Sequence, residues 1–194
     1  MGRSSAEQAL QNRARIVEEA SRLFRERGVE AVSVSDIMAA AGLTVGGFYK
    51  HFASKEALVR EACALSFEQA TQVWEKLAGD DPPAAAIVEH YFHKRPAHRT
   101  CPMLAYAPHV SGTGPALPAH EAYSEGVAAL LSDFIAGTGQ SEDARDEARV
   151  LFAAMIGAQL LAQASNHANW ATALQQAVAR RARTPSHAGE GTSA

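Results

Sequence analysis

Apolar residues recur along this chain every three or four positions, and this spacing restricts the fold to packed helices. Within residues 12–27 they occupy one helix face in the i, i+1, i+4, i+7, i+8 pattern. Alternation typical of a strand occurs only near residues 29–34, in a run too short to found a sheet. The sequence therefore predicts an all-α protein. The residues of the first stripe are Ile16, Val17, Ala20, Leu23 and Phe24.

Caps and helix breakers divide this pattern into separate helices. Gly28 follows the first stripe, where a left-handed residue is favoured, and the run 79–83 contains two prolines that break the chain again. Serine or threonine precedes several of the remaining apolar stripes, as expected for N-caps. The predicted helices lie near residues 12–27, 33–41, 45–52, 54–78, 119–136, 141–164 and 169–181, with one more through residues 87–92 and one beginning near residue 101.

The net charge of -3 is unevenly distributed. Residues 1–60 contain nine basic and seven acidic residues, a net charge of +2. Residues 61–194 contain nine basic and fourteen acidic residues, a net charge of -5. A basic end on an acidic body is typical of a protein whose one end meets a polyanion.

Composition excludes several classes of protein. Cys63 and Cys101 are the only cysteines and cannot form a disulfide framework, so a reducing compartment is expected. The longest apolar run, residues 150–164, is interrupted by Gln159 and is too short to span a bilayer. The first residues lack the apolar run of a signal peptide and do not match the myristoylation pattern. We therefore expect a cytoplasmic protein with no membrane partner.

Residues 33–52 have the pattern of two short helices joined by a tight, glycine-containing turn, which is a helix-turn-helix. Ser33 and Asp36 have the spacing of a capping box at the start of the first helix. Gly42 is expected to end that helix, and Thr44 to begin the second. The apolar residues expected to hold the two helices together are Ile37, Ala40, Leu43, Phe48 and Phe52.

The outward face of the second helix suits the major groove of DNA. Hydroxyl and amine groups match phosphate oxygens, and small residues let the backbone approach base edges. The pair Gly46-Gly47 is unusual, since each glycine inside a helix costs about 1 kcal/mol relative to alanine. Either the pair lies in the first turn, where distortion costs less, or the missing side chains allow close packing on DNA. The face comprises Thr44, Val45, Gly47, Tyr49, Lys50 and His51.

The run from Ser33 to Leu58 resembles the DNA-binding signature of the TetR family of bacterial transcriptional regulators. Its part Leu43-Thr-Val-Gly-Gly-Phe-Tyr-Lys-His-Phe-Ala-Ser-Lys-Glu-Ala-Leu58 is similar to the family's recognition helix and the start of the following helix. The resemblance is specific over about residues 10–60 and extends only to the layout of the rest. It implies a three-helix DNA-binding domain at residues 1–60, a helical ligand-binding and dimerisation domain at 61–183, and a disordered tail at 184–194.

The resemblance also implies a function and a set of DNA contacts. A homodimer would bind a palindromic operator, usually as a repressor, and leave it when a small-molecule effector fills the helical domain. Of the implied contacts, Thr44, Tyr49, His51 and Lys55 would touch phosphates, and Val45, Gly47 and Lys50 would lie nearest the bases. A flexible N-terminal arm with Arg3, Arg13 and Arg15 would reach further backbone. The full DNA-contact set is Ser33, Thr44, Val45, Gly46, Gly47, Tyr49, Lys50, His51 and Lys55.

The second domain offers a dimer interface and an effector pocket, each with a plainer alternative. The apolar faces of residues 119–136 and 141–164 either form a four-helix dimer interface or belong to the core of one chain. Apolar and aromatic residues with a few polar groups suit a ligand pocket, although each fits an ordinary core equally well. The pocket candidates are Phe67, Trp74, Tyr91, Cys101, Met103, Tyr106, Phe152 and Met155.

Cys101 also supports an alternative function, an oxidant-sensing or electrophile-sensing regulator. A thiol at the start of a helix, close to several basic residues, has an electropositive setting typical of reactive cysteines, while a small buried residue is the plainer alternative. The group His90, His93, His98 and Cys101 matches no zinc motif, and Pro96 interrupts it, so solvated histidines are expected and no metal. The chain carries no Gly-rich phosphate loop and no hydrolase or metalloprotease motif, so no enzyme and no cofactor are expected.

Overall fold

The computed structural model describes residues 2–77, 79, 83–94, 96–111, 117–138 and 141–184, with residues 2–5 as backbone only. Over these ranges the secondary structure is α-helical with two short 3₁₀ helices and no strand, which confirms the predicted all-α class. The α-helices are α1 (Gly2–Arg27), α2 (Val34–Ala40), α3 (Lys55–Leu77), α4 (Pro83–Phe92), α5 (Pro102–Val110), α6 (Pro118–Ala136), α7 (Glu142–Ala164) and α8 (Asn169–Arg183). The 3₁₀ helices are Val45–Lys50 and Ala97–Arg99.

Local sequence signals account for most of the helix ends. Gly28 and Gly42 adopt the left-handed conformation, with φ of 81° and 68°, the first directly after α1 and the second after the C-cap residue of α2. The hydroxyl of Ser54 accepts a hydrogen bond from the Ala57 N–H at 3.1 Å, so it caps α3 as its sequence predicts. The hydroxyl of Ser141 caps α7 in the same way. The tail predicted beyond residue 184 lies outside the described residues.

Two elements differ from the predicted pattern. Helix α1 begins at Gly2, about ten residues earlier than its apolar stripe, because Ala, Glu, Gln and Leu in residues 6–10 favour a helix without needing a core. The predicted helix near residues 45–52 is the 3₁₀ helix Val45–Lys50. Its short length is consistent with the limits of 3₁₀ geometry and with two consecutive glycines.

The chain forms two compact units that alternate along the sequence. The first unit comprises Met1–Ala70 with Arg95–Val127, and the second comprises Thr71–Lys94 with Ala128–Ala194. The segment after Pro96 therefore belongs to the same unit as α1, α2 and the first part of α3. The boundary predicted after Arg60 separates a DNA-binding domain from a ligand-binding and dimerisation domain. This functional division stays a prediction.

Buried hydroxyl groups join three helices in the core of the first unit. The Ser66 hydroxyl on α3 donates to the Ala62 carbonyl oxygen at 2.7 Å. Ser21 Oγ on α1 and Tyr106 Oη on α5 lie 2.8 and 3.1 Å from Ser66 Oγ. Since the single Ser66 proton goes to Ala62, both neighbours donate to Ser66. Burial raises the pKa of Tyr106 above its usual value, so its hydroxyl keeps the proton it donates.

Aromatic side chains form the core of the second unit. The ring centroid of Trp74 lies 6.1 Å from that of Phe134 and 6.2 Å from that of Phe152, and the two phenylalanine rings are 5.7 Å apart. Helix α8 packs on α4 and α7, where Arg183 and Glu89 form an ion pair. None of the described helices combines the length and the apolar character needed to cross a membrane.

We predict that Gly126→Ala destabilises the first unit. A Cβ atom at this position of α6 would lie 2.2 Å from Cγ of Phe67, a buried ring that the Tyr123 ring already confines at 5.6 Å. The free energy of unfolding, measured by chemical denaturation, should fall by about 1–3 kcal/mol. Ser124→Ala, an exposed site on the same helix, should change it by less than about 0.5 kcal/mol. Equal stability of the two variants would contradict the packing of Phe67 on Gly126.

Candidate nucleic-acid interface

A complete capping box holds the start of α2. The Ser33 hydroxyl accepts a hydrogen bond from the Asp36 N–H at 3.1 Å, and the Asp36 carboxylate accepts from the Ser33 N–H and hydroxyl at 2.8 and 2.5 Å. Hydrogen bonds from Ser33 hold the pKa of Asp36 below its usual value. Ser33, predicted to contact DNA, therefore has its hydroxyl proton committed to this helix start.

The turn after α2 sets the direction of the next helix. Gly42 is in the left-handed conformation, and the Leu43 N–H donates to the Met38 carbonyl oxygen at 2.8 Å. The α2 residues buried against the second helix are Ile37 and Met38, with Ala41 at the C-cap. Ala40, predicted to lie in this joint, is exposed, because α2 is rotated so that the adjacent Ala41 takes the buried position.

Phe48 anchors the recognition segment, defined as residues 44–51. Its side chain is fully buried, and its ring stacks on that of Phe52 with centroids 5.7 Å apart. Tyr49 meets the same ring edge-on at 5.2 Å while remaining 75% exposed. The phenolic hydroxyl is therefore presented to solvent on a ring whose base is fixed.

Most of the residues predicted to contact DNA form the exposed face of this segment. Thr44 occupies the N-cap position, but its hydroxyl makes no capping hydrogen bond. Gly47 and His51 are half-buried at the margin of the face. The surface thus presents hydroxyl groups, an ammonium group and a stretch without side chains. Its exposed members are Thr44, Val45, Gly46, Tyr49 and Lys50.

The chain's own packing does not require the two glycines. A Cβ atom on Gly46 would meet nothing within 4 Å, and one on Gly47 would lie at an ordinary 3.7 Å from Cε of Met38. Neither residue has a positive φ. Both lie in the first turn of the short helix, where a distorted backbone costs least, as one of the two explanations supposed. The space above Gly46 is open to any molecule that approaches this face.

Two of the predicted DNA contacts are also engaged within the protein. The Lys55 ammonium group donates to the Val29 carbonyl oxygen at 2.7 Å. The Arg13 guanidinium pairs with Glu61 at 2.6 Å and lies 4.6 Å from the centroid of the Phe52 ring. Residues 6–15 are turns of α1, so the prediction of a flexible arm over Arg13 and Arg15 is wrong. The side chain of Arg3 lies outside the described residues.

Sequence reasoning missed the contacts that tie α5 to the helix-turn-helix. His109, in the last turn of α5, places its two ring nitrogens 2.6 Å from a carboxylate oxygen of Glu30 and 3.1 Å from one of Glu56. At the other end of this segment, Nε of Arg25 donates to the Thr100 carbonyl oxygen at 2.8 Å. These partners are 53 to 79 residues apart, so no local sequence pattern predicts these contacts.

The predicted effector-pocket residues are divided between the two units. In the first unit Phe67, Met103 and Tyr106 are buried, and Cys101 is half-buried at the N-cap of α5. Tyr123, which was not predicted, packs on the Phe67 ring and donates to the Met103 carbonyl oxygen at 3.0 Å. In the second unit the buried candidates are Trp74, Tyr91, Phe152 and Met155.

The described residues contain no group of three His, Cys, Asp or Glu side chains that could hold a metal ion. His90 lies on α4 and His93 just after it, while His98 lies in the 3₁₀ helix before α5. The histidines and Cys101 considered from their sequence spacing thus lie on separate elements.

Comparison with known proteins agrees with this geometry. The model of the family described as bacterial regulatory proteins, tetR family, matches residues 16–62. The transcriptional regulator TtgR of Pseudomonas putida is 43% identical over 60 residues, which are 31% of this chain and 29% of TtgR. The transcriptional repressor KstR2 of Mycolicibacterium smegmatis is 30% identical over 101 residues, 46% of this chain and 49% of KstR2. The chain therefore spans less than half the length of these curated relatives.

The fold of the remaining residues is also similar to solved structures. A TetR transcriptional regulator from Chloroflexus aurantiacus superposes with a TM-score of 0.76 and 24% identity, over 92% of this chain and 98% of that one. A likeness at this identity shows a shared fold only. The matched residues 16–62 run from within α1, through the recognition segment, into α3. On this match and its helix-turn-helix, residues 16–62 are a DNA-binding region of the tetR family type.

Proposed function

We propose that the protein is a ligand-responsive transcriptional repressor that binds a palindromic DNA operator as a homodimer. One observation carries the proposal: a helix-turn-helix holds its second helix by the buried Phe48 and leaves polar and small residues outward. Such a helix enters a major groove, and two of them in a dimer read half-sites about one DNA turn apart. The repressor name of the relative KstR2 supports repression as the outcome. Action on DNA would place the protein in the cytoplasm.

The residues of the recognition segment divide into phosphate and base contacts. Thr44, Tyr49 and His51 offer hydrogen-bond donors that suit phosphate oxygens, the first two from exposed side chains and His51 from a half-buried one. Lys55 adds to them, since its ammonium has three donors and Val29 uses one. Val45, Gly47 and Lys50 would lie nearest the bases. Ser33 has both of its donors, the N–H and the hydroxyl, engaged with Asp36, so it would contact a phosphate only by sharing one of them.

The effector would be a small molecule with apolar or aromatic surface. The candidate residues of both units are aromatic, sulfur-containing or apolar, and most are buried, as is typical of ligand pockets. Binding of an effector to a conformation that fits the operator less well would weaken DNA binding, with a coupling of about 1–3 kcal/mol. The comparisons do not favour the alternative in which Cys101 senses oxidants or electrophiles.

Exposed apolar side chains indicate where a second copy would bind. On α6 the residues Leu130 and Phe134 are fully buried and Val127, Leu131 and Ile135 are half-buried, so this helix exposes no large apolar side chain. We infer that α7, as predicted, pairs with α8, in place of the predicted α6, in the dimer interface. The large apolar residues exposed on these two helices are Val150, Leu160, Leu161, Trp170 and Leu174. Two such helices from each copy would form a four-helix interface.

We predict that Trp170→Glu converts a dimer into a monomer. The Trp170 side chain is 55% exposed in a single chain, and a carboxylate buried between two copies would lack a partner. Light scattering after size-exclusion chromatography should give twice the chain mass for the wild type and the chain mass for the variant. Leu10→Glu alters an equally exposed apolar residue on α1 and should leave the dimer intact. A monomeric wild type would contradict the proposed homodimer.

We predict different effects for substitutions at two neighbouring exposed residues. Tyr49→Ala removes a phosphate contact and should weaken binding about tenfold or more to every DNA fragment that the wild type selects. Lys50→Ala removes a base contact and should change which fragments are selected, by about 1–3 kcal/mol of discrimination. Gel-shift titrations on fragments selected from genomic DNA measure both effects. Arg180→Ala removes an exposed cation from α8 and should change neither.

We predict that Gly46→Ala weakens operator binding without weakening the fold. The added methyl group meets no atom of the chain within 4 Å, and alanine favours a helix by about 1 kcal/mol over glycine. The free energy of unfolding should therefore stay the same or rise, while operator affinity falls because the methyl group occupies the space needed by DNA. Unchanged affinity would mean that Gly46 does not approach the groove.

A further inference from the structure

We propose that His109 is a positioning residue of the helix-turn-helix, and that its bridge to Glu30 and Glu56 makes operator binding depend on the protonation of its ring. The inference rests on the DNA-binding function proposed above and adds a regulatory input to it. No residue of the bridge belongs to the recognition segment, so His109 would act on DNA through the elements it holds and through its charge.

The bridge joins three elements of the first unit. The His109 side chain is 5% exposed and lies in the last turn of α5. Its Nδ1 is 2.6 Å from Oε1 of Glu30, in the loop between α1 and α2, and its Nε2 is 3.1 Å from Oε2 of Glu56, in the first turn of α3. Glu30 precedes the capping residue Ser33 by three positions. One side chain of α5 therefore holds both the approach to α2 and the start of α3.

Both contacts are satisfied only when the ring carries two protons. A neutral imidazole has a single N–H, and an ionised carboxylate only accepts hydrogen bonds. The hydrogen bond from His109 lowers the pKa of Glu30, so this carboxylate is ionised at neutral pH and takes its proton from the ring. The second ring nitrogen then needs a proton of its own to donate to Glu56. The imidazolium also lies at the negative end of the α5 dipole, which favours a cation.

Besides the bridge itself, one basic residue acts on Glu30 and another binds the opposite end of the α5 segment. From α3, Lys55 acts electrostatically on Glu30 and is itself held by the neighbouring Val29 carbonyl oxygen. From α1, Arg25 lies at the opposite end of the segment, where it donates to Thr100. Lysine and arginine keep their charge across the neutral range, whereas histidine changes its charge between about pH 5 and 8.

Loss of the ring proton would act on DNA binding in two ways of the same sign. One of the two carboxylates would face a nitrogen lone pair in place of a donor, so either the loop before α2 or the first turn of α3 would lose its hold on α5. The DNA-binding end of the chain would also lose one positive charge, and its electrostatic attraction to phosphates would fall. Operator affinity should therefore decrease as pH rises.

Operator affinity measured against pH, between about pH 5.5 and 8.5, tests the proposal. His109→Gln keeps an N–H donor whose charge never changes, and His120→Gln, on the exposed side of α6, is the matched control. His51 is retained in every protein, because it lies in the recognition segment itself. Across the interval the wild type and His120→Gln should lose about fivefold or more affinity beyond the loss seen in His109→Gln. Parallel profiles for the wild type and His109→Gln would overturn the proposal, since a merely structural contact lowers affinity equally at every pH.

A second variant, Glu30→Gln, tests the proposal independently in case the His109→Gln protein does not fold. Glu30 is 83% exposed, and Glu30→Gln supplies an amide that can donate to a neutral ring, so the bridge no longer needs the second proton. Like His109→Gln, this variant should lose less operator affinity with rising pH than the wild type does. A profile as steep as that of the wild type would overturn the proposal. Loss of duplex binding by the wild type at every pH is a different result, which would refute the proposed function itself.

Discussion

Burial of the Phe48 side chain is the interaction on which the DNA-binding surface depends. A six-residue 3₁₀ helix with two glycines has no stability of its own, because too few hydrogen bonds offset the entropy of ordering it. The fully buried Phe48 ring attaches this helix to the protein, with Phe52 stacked beside it. The positions that flank Phe48 are consequently forced outward. The exposure of Tyr49 is a result of that anchor and not of its own polarity.

Local chemistry explains why the sequence predicts the helix-turn-helix so well. The capping box of Ser33 and Asp36, the left-handed Gly28 and Gly42 and the Ser54 cap each involve residues three or four positions apart. Such signals are readable without knowing the fold. The start of α1 and the exposure of Ala40 were not predicted, because helix propensity and the rotation of a short helix leave no periodic trace. The contacts of His109 join residues brought together by tertiary packing alone.

Packing also explains why the predicted effector residues cannot be assigned from their types. Aromatic side chains such as Trp74 and Phe152 are needed to fill the core between helices whether or not a ligand binds nearby. Sequence reasoning selects them because pockets and cores share the same composition. Phe134 and Tyr123 contact the selected residues directly and suit a pocket equally well, although neither was among the predicted pocket residues.

Helix α5 is attached to the rest of the first unit by two kinds of interaction with different sensitivities. Near its middle, Tyr106 belongs to a buried network of neutral hydroxyls, in which no proton leaves near neutral pH. At its end, the His109 ring contacts the carboxylate of Glu30, whose side chain faces solvent. A change in pH or salt concentration should therefore act on the last turn of α5 and leave the contacts of its middle unchanged. That last turn contacts the loop before α2 and the start of α3. The part of α5 that is held through side chains facing solvent is therefore also the part that contacts the helix-turn-helix.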